Sequence, residues 1–133
     1  MNQKSDEKFQ KSLKNLKKIM KVLDENLRKK DSTDLERSGI IKNFEMTFEL
    51  FWKTLQKKAE FQGRKVIGPR DSFALAFEWG LIPDDELWFK LIEDRNLAVH
   101  TYNQDLAKEL LERIKNIYFP AFQKLLVGPE NFN

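Results

Sequence analysis

The stretch IIKNFEMTFELFWKTLQKKA, residues 40–59, decides the fold of this 133-residue chain. Its apolar and aromatic residues recur at intervals of three and four, the spacing of one face of an α-helix. They are Ile40, Ile41, Phe44, Phe48, Phe51, Trp52, Leu55 and Ala59. Because the stripe is wide and aromatic, we expect this helix, about residues 34–62, to lie at the centre of a bundle. Thr33-x-x-Glu36 predicts a capping box at its start, and Gly63 is well placed to end it.

The segments on either side also predict helices. Residues 5–29 carry a narrow apolar stripe, and Pro69 fits the first turn of a third helix that ends at Gly80. The acidic residues 84–86 suit the start of a fourth helix. No segment alternates in the manner of a strand. We therefore predict an all-α fold, an antiparallel up-and-down bundle of four to five helices in a single domain, residues 1–133, with an ordered core of about 5–127.

The fifth helix, about residues 101–126, should be bent or divided at Pro120, which lacks a backbone N–H. Its inward face is predicted to consist of Leu106, Leu110, Ile114, Ile117 and Phe122. Thr101-x-x-Gln104 fits a capping box at its start, and Asn103 is a second possible cap. We expect the preceding helix to end near Val99, which places His100 in the junction between the two helices.

Composition excludes several classes of function. The chain has no cysteine and one histidine, which excludes disulfides, thiolate catalysis and a multi-histidine metal centre within one subunit. We expect no bound metal. No apolar run reaches the ~20 residues that cross a bilayer, and the polar first residues lack the apolar part of a secretory signal, so we expect a cytoplasmic protein without membrane contact.

Charge is distributed unevenly along the chain. Residues 1–30 contain ten Lys/Arg and four Asp/Glu, a balance of +6, whereas the remainder contains 14 and 17, a balance of −3. A basic first helix can attract nucleic acid or an acidic partner, although a solvated lysine-rich face is the commoner meaning of such a pattern.

Polar groups of several kinds are concentrated in EDRNLAVHTYN, residues 93–103. Arg95, Asn96, His100 and Tyr102 supply a guanidinium, an amide, an imidazole and a phenol within eight residues. A helix junction here would offer free N–H groups and a positive dipole end to a phosphate. Structural alternatives remain: a lone histidine between helices is most often a hydrogen-bonding residue, and an arginine beside two carboxylates is most often part of an ion pair.

The motif Arg95-x4-His100-x-Tyr102 resembles the Arg-x4-6-His signature of HEPN domains and the longer signature of HepT toxins, which are also described as nucleotidyltransferase substrate-binding proteins. Further blocks resemble the family in the expected order: Phe44-Glu45-x-Thr47-Phe48-Glu49-Leu50-x-Trp52-Lys53, Pro69-Arg70-x-x-Phe73 and Glu93-Asp94-Arg95-Asn96. The resemblance covers roughly residues 5–126.

The resemblance implies a metal-independent endoribonuclease that works as a homodimer on RNA, with Arg95, His100 and Asn96 as the catalytic residues. It also implies a cognate MNT-type nucleotidyltransferase antitoxin that uses ATP and Mg²⁺ to AMPylate Tyr102; the chain itself needs no cofactor. The alternative is a non-catalytic nucleotide- or substrate-binding subunit of a two-component nucleotidyltransferase. A catalytic nucleotidyltransferase in this chain is not expected, because the Gly-Ser turn and the metal carboxylates on a strand are missing.

Four neighbouring residues are predicted to support the site. Glu93 or Asp94 is expected to orient Arg95, because adjacent carboxylates on a helix point about 100° apart and chelate a metal poorly. Arg70, at the start of the third helix, and Asn103 are candidate substrate-binding residues. The tryptophans, Trp52, Trp79 and Trp88, could stack on bases, but their helical context favours the core or a dimer interface.

Overall fold

The computed structural model describes residues 3–83, 86–100 and 102–127. These residues form α-helices, one 3₁₀ turn and one π-helical segment, and the all-α prediction is confirmed. The elements in chain order are α1 (Gln3–Leu27), α2 (Asp34–Phe61), α3 (Gly68–Glu78), α4 (Glu86–Leu97), a 3₁₀ turn (Ala98–His100), α5 (Gln104–Arg113), a π-helical segment (Ile114–Tyr118) and α6 (Phe119–Val127). The last three elements follow one another without interruption, so the described residues form five continuous helical segments.

Helix α2 is the central helix, as predicted. Its apolar stripe is buried from Ile40 to Ala59 except at Trp52, which is half-buried. Phe51 lies 4.6 Å from Phe122 between ring centroids, and Phe73 lies 4.9 Å from Trp88. Helices α2, α3, α4 and α6 therefore meet in one aromatic cluster, and Trp88 is a core residue.

Helix α1 packs antiparallel along α2. The Ser12 and Thr54 hydroxyls are 2.5 Å apart, and the Lys58 ammonium lies 5.4 Å from the Phe9 ring. The contacting residue numbers therefore fall along α1 as they rise along α2. The buried apolar residues of α1 recur at helical spacing; they are Phe9, Leu13, Leu16, Met20, Leu23 and Leu27. Among the described residues, no helix is both long and apolar enough to cross a membrane.

The boundaries of the helices follow local capping chemistry. The capping box at Thr33 is confirmed: the Glu36 N–H donates to Thr33 Oγ1 at 3.1 Å, and the Thr33 N–H donates to Glu36 Oε1 at 2.9 Å. Gly63 follows α2 with a φ of 78°, a left-handed conformation that favours glycine. Helix α3 ends at Glu78, two residues before the predicted Gly80.

The junction differs in detail from the prediction. Helix α4 ends at Leu97 rather than near Val99, and a 3₁₀ turn carries the chain to His100. Asn103 is the cap of α5, because its Oδ1 accepts from the Leu106 N–H at 3.1 Å, so the helix begins at Gln104. The alternative cap, Thr101, lies outside the described residues, as do Asp84 and Asp85 at the predicted start of α4.

The last helix contains a π-helical segment just before Pro120. The Phe119 N–H donates to the Ile114 carbonyl, five residues earlier, which adds one residue to the turn. The prediction that Ile117 faces inward is therefore wrong: Ile117 is exposed, and the extra residue turns Tyr118 into the core instead. Pro120 supplies the physical reason, since its ring clashes with the carbonyl that a regular α-helix would place behind it.

The capping box predicts a pH dependence. Hydrogen bonds from Lys29 and from the Thr33 backbone lower the pKa of Glu36 from 4.5 to about 2. A carboxyl whose folded pKa is depressed stabilises the fold above its unfolded pKa and loses that contribution as pH falls. In Glu36→Gln, the amide keeps the capping acceptor but loses the charge. The difference in unfolding free energy between wild type and variant, from urea titrations, should shrink between about pH 5 and pH 2. A difference that stays constant over this range would contradict the assignment.

Candidate functional site

The only histidine of the chain is at the surface, beside an exposed tyrosine. His100 ends the 3₁₀ turn, and its Nδ1 is hydrogen-bonded to the Tyr102 hydroxyl at 3.2 Å. The two rings meet edge to face, with centroids 5.7 Å apart, and Tyr102 is 78% exposed. The predicted placement of His100 in the helix junction is confirmed, and the structure brings its imidazole and the phenol together.

Arg95 is held by a carboxylate that sequence reasoning did not select. Its Nη2 forms an ion pair with Glu49 of α2, and its Nη1 donates to Asn96 Oδ1 at 3.3 Å. The guanidinium also lies 5.7 Å above the Phe48 ring. Arg95 is therefore clamped between α2 and α4, with about a third of its side chain exposed. Arg95 and His100 share no hydrogen-bond partner within the part of the chain that the structure describes: Arg95 bonds Glu49 and Asn96, whereas His100 bonds Tyr102.

Glu49 has further contacts that fix its position. Trp52 Nε1 donates to Glu49 Oε2 at 3.2 Å, and Lys53 Nζ lies 4.0 Å from the same oxygen. A sequence signal for this role existed, because Glu49 lies within the Phe44–Lys53 block. Glu49 flanks the aromatic stripe, and nothing in the sequence was a reason to pair it with a residue 46 positions away.

Asp94 does not orient Arg95, contrary to one of the two predicted roles for this pair of carboxylates. It is buried, and its Oδ2 accepts from Arg113 Nε at 2.7 Å and from the Tyr118 hydroxyl. Adjacent residues on a helix point about 100° apart, so Asp94 faces the core while Arg95 faces α2. Burial raises the pKa of Tyr118, and the hydrogen bond to Asp94 raises it further. The hydrogen bond with Asp94 raises the pKa of Arg113.

The remaining predicted site residues lie in separate places. Glu93 is exposed on α4, about 100° around the helix from Asp94, and the carboxylate that pairs with Arg95 is that of Glu49 rather than Glu93. The Arg70 guanidinium lies 4.6 Å from the Phe89 ring and does not contribute to the Arg95 pair. Asn103 is engaged as the cap of α5.

A buried arginine attaches the start of α5 to the central helix. Arg37 is 8% exposed, and its Nη1 donates to Gln104 Oε1 and to Asp34 Oδ1, both at 2.9 Å. Its Nη2 donates to the Ser32 carbonyl at 3.1 Å. Arg37 thus fixes the chain just after Tyr102. Nothing in the neighbouring sequence predicted this role for Arg37.

Shallow grooves lie on the surface of the described residues, and Arg95 borders one of them. One of about 420 Å³ is bordered by Arg95, Lys42 and Lys53 as cations and by Glu45 and Glu49 as carboxylates. A larger one of about 560 Å³ lies elsewhere, between the α1–α2 loop and α5. In the described part of the chain, no cluster of three or more carboxylates or imidazoles is arranged to hold a metal ion.

A sequence profile described as "Nucleotidyltransferase substrate binding protein like" matches residues 5–129. The chain belongs to this family. The nucleotidyltransferase substrate-binding family lies within the HepT/HEPN-like superfamily.

The fold is shared with a solved structure. The chain is similar to a protein from Thermus thermophilus known from its crystal structure, with 36% identity and a TM-score of 0.75. The similarity covers 84% of this chain and 95% of that one. No protein with a curated description matches the chain significantly.

The two adjacent carboxylates of α4 should differ sharply in their effect on stability. Asp94→Ala leaves Arg113 and Tyr118 without their shared acceptor. We expect the unfolding free energy to fall by about 3 kcal/mol, which is at the low end for a broken buried ion pair because Arg113 is partly exposed. The matched control Glu93→Ala removes an exposed carboxylate and should change stability by less than about 0.5 kcal/mol. Urea unfolding curves of the two variants test this, and similar losses in both would refute the structural role of Asp94.

Proposed function

We propose that this chain is a HepT-like toxin, a metal-independent endoribonuclease that a partner nucleotidyltransferase silences by AMPylating Tyr102. The observation that carries the proposal is the contact between His100 and Tyr102. An imidazole and a phenol, both exposed, share a hydrogen bond on the surface of a member of the nucleotidyltransferase substrate-binding family. One contact thus joins a group suited to acid–base chemistry with a group suited to modification.

RNA cleavage of this kind needs proton transfer rather than a metal. The 2′-oxygen of the ribose attacks the neighbouring phosphorus, the bond from phosphorus to the 5′-oxygen breaks, and a 2′,3′-cyclic phosphate forms. The 2′-hydroxyl loses a proton to a base, and the departing 5′-oxygen gains one from an acid. Imidazoles titrate near pH ~6.5 and can take either part. A positioned group of this type accelerates a reaction by ~10²–10⁴-fold.

Arg95 supplies the positive charge in this scheme. Its guanidinium is a planar donor fork that suits a phosphate whose charge is growing in the transition state. Glu49 and Asn96 hold the fork in place, and the partial exposure of Arg95 leaves it within reach of a polyanion. We assign Asn96 to positioning Arg95 through this hydrogen bond.

Each chain contributes one histidine, which cannot be base and acid at the same moment. A two-fold homodimer resolves this, because it brings two copies of the turn to one cleft and supplies a second imidazole. The position of His100 in an exposed turn supports such a shared site.

AMPylation of Tyr102 uses the same contact in another way. The phenolic oxygen attacks the α-phosphorus of ATP, the bond to the β-phosphate oxygen breaks, and pyrophosphate leaves. The ATP and Mg²⁺ are bound by the partner enzyme. His100 Nδ1, 3.2 Å from the phenol, is placed to accept its proton. The attached AMP then puts a phosphate beside the imidazole, which excludes RNA by occupation and by charge repulsion.

Removal of the imidazole should abolish cleavage without unfolding the chain. His100→Ala should lower the rate of RNA cleavage at least ~10²-fold, the usual contribution of one acid–base group. Arg95→Ala should lower it by a similar factor, ~10²-fold, because it removes a donor that stabilises the charge growing on the phosphate. Val99→Ala, an exposed neighbour, is the matched control and should retain full activity. Cleavage is followed on end-labelled RNA in the presence of EDTA. Undiminished cleavage by His100→Ala would refute the nuclease, and RNA or nucleotide binding without cleavage by wild type would favour the alternative of a binding subunit.

The two tyrosines of the chain form an internal control for modification. Incubation with the partner nucleotidyltransferase and ATP-Mg²⁺ should add units of ~329 Da, the mass of a transferred AMP, to Tyr102. Tyr118 is fully buried and bonded to Asp94, so it should stay unmodified. Peptide mass spectrometry of wild type and Tyr102→Phe locates the adduct. An adduct that persists in Tyr102→Phe, or that is absent from wild type, would contradict the proposal.

A further inference from the structure

Helix α1 presents a continuous face of lysine side chains. Between residues 8 and 23 the sequence contains six lysines and no carboxylate. We call these six residues the lysine strip; they are Lys8, Lys11, Lys14, Lys17, Lys18 and Lys21. All six are exposed, and at 100° per residue they occupy the half of the helix opposite the buried stripe.

The lysine strip differs from the rest of the charged surface. Elsewhere, several basic residues are joined to acidic ones in ion pairs, such as Arg64 with Glu78 and Lys29 with Glu36. Within residues 3–83, 86–100 and 102–127, none of the ion pairs includes a lysine of the strip. Its positive potential is therefore not cancelled locally, and this suits a partner with regularly repeated negative charges.

The length and shape of the strip favour a nucleic-acid backbone over a membrane. From Lys8 to Lys21 the helix rises about 20 Å, which is long enough to contact several successive phosphates. A basic helix that binds a bilayer also inserts an apolar face. The apolar face of α1 is instead buried against α2 from Phe9 to Leu27, so it has nothing to insert.

The strip and the Arg95 site lie on different sides of the central helix. Helix α1 meets α2 at Thr54, whereas Arg95 meets α2 at Glu49. Residues five apart on a helix point about 140° apart. A group bound along α1 is thus away from the reacting phosphate, and it can raise affinity without taking part in the chemistry.

We propose that the lysine strip of α1 binds the sugar–phosphate backbone of single-stranded RNA outside the cleavage site, as a sequence-independent second contact for long substrates. This inference rests on the proposed function for the identity of the polyanion. It assigns to the strip an effect on the KM of long RNA and none on kcat.

The binding test uses the His100→Ala protein, so that RNA stays intact. Fluorescence anisotropy with a single-stranded RNA of about 20 nucleotides measures Kd as a function of salt concentration. Lys14→Gln, Lys18→Gln and Lys21→Gln are combined in one variant. The control combines Lys65→Gln, Lys90→Gln and Lys124→Gln, three exposed lysines outside α1 that give the same change in net charge.

The strip variant should lose about 2 from the slope of log K against log salt, since each neutralised single-strand phosphate contributes about 0.7. Its affinity at about 0.1 M salt should fall on the order of 100-fold, while the control variant stays close to the parent. Equal losses of affinity in both variants would show that binding depends only on net charge and would overturn the proposal. An unchanged slope in the strip variant would also overturn it. Circular dichroism melting of both variants verifies that they are folded.

Two further measurements separate this inference from the proposed function. With His100 intact, the strip substitutions should raise the KM for the long RNA, leave kcat unchanged and leave cleavage of a dinucleotide unaffected. If the wild-type chain binds RNA through the strip but cleaves no RNA, the proposed nuclease function is refuted and the RNA-binding role of the strip is supported. Vesicles of equal parts phosphatidylcholine and phosphatidylserine should not bind; vesicle binding that depends on the strip, without RNA binding, would assign the strip to a membrane and overturn the proposal.

Discussion

The buried carboxylate of Asp94 determines the geometry of the surface around the α4–α5 turn. A buried charge is tolerated only when it is paired and hydrogen-bonded, and Arg113 and Tyr118 together meet that requirement. This network fixes the rotation of α4 relative to the last helix. With Asp94 turned inward, Arg95 necessarily points about 100° away, where it meets Glu49 of the central helix. The candidate site is therefore oriented by a residue that takes no part in its chemistry.

The π-helical segment makes this network possible. Tyr118 reaches the core only because one extra residue is inserted between Ile114 and Phe119. The insertion is next to Pro120, whose ring would clash with a backbone carbonyl in a regular α-helical turn at this point. A backbone irregularity at one end of the last helix thus supports the position of Arg95 on another helix through Tyr118 and Asp94.

The sequence was sufficient for the fold because its signals are local. The aromatic stripe of α2, the Thr33 capping box and the glycine after α2 each act within a few residues and were predicted correctly. The inward placement of Ile117 failed because a π-turn changes helical phase without any change in composition. Glu49, Asp94 and Arg37 could not be assigned partners, since their contacts join residues that lie 46, 19 and 67 positions apart. Of the site, the histidine in the junction was predictable, whereas the pairing of the charged groups required the packed bundle.

The separation of His100 and Tyr102 by a single residue has a consequence for control. In the function proposed for this chain, the catalytic group and the regulatory group are neighbours in one turn, so the inactive form needs no rearrangement elsewhere in the bundle. Regulation of this kind acts directly at the site, through occupation and charge, rather than allosterically. In the homodimer proposed above, each protomer would carry its own modification site, and the core could remain rigid in both states.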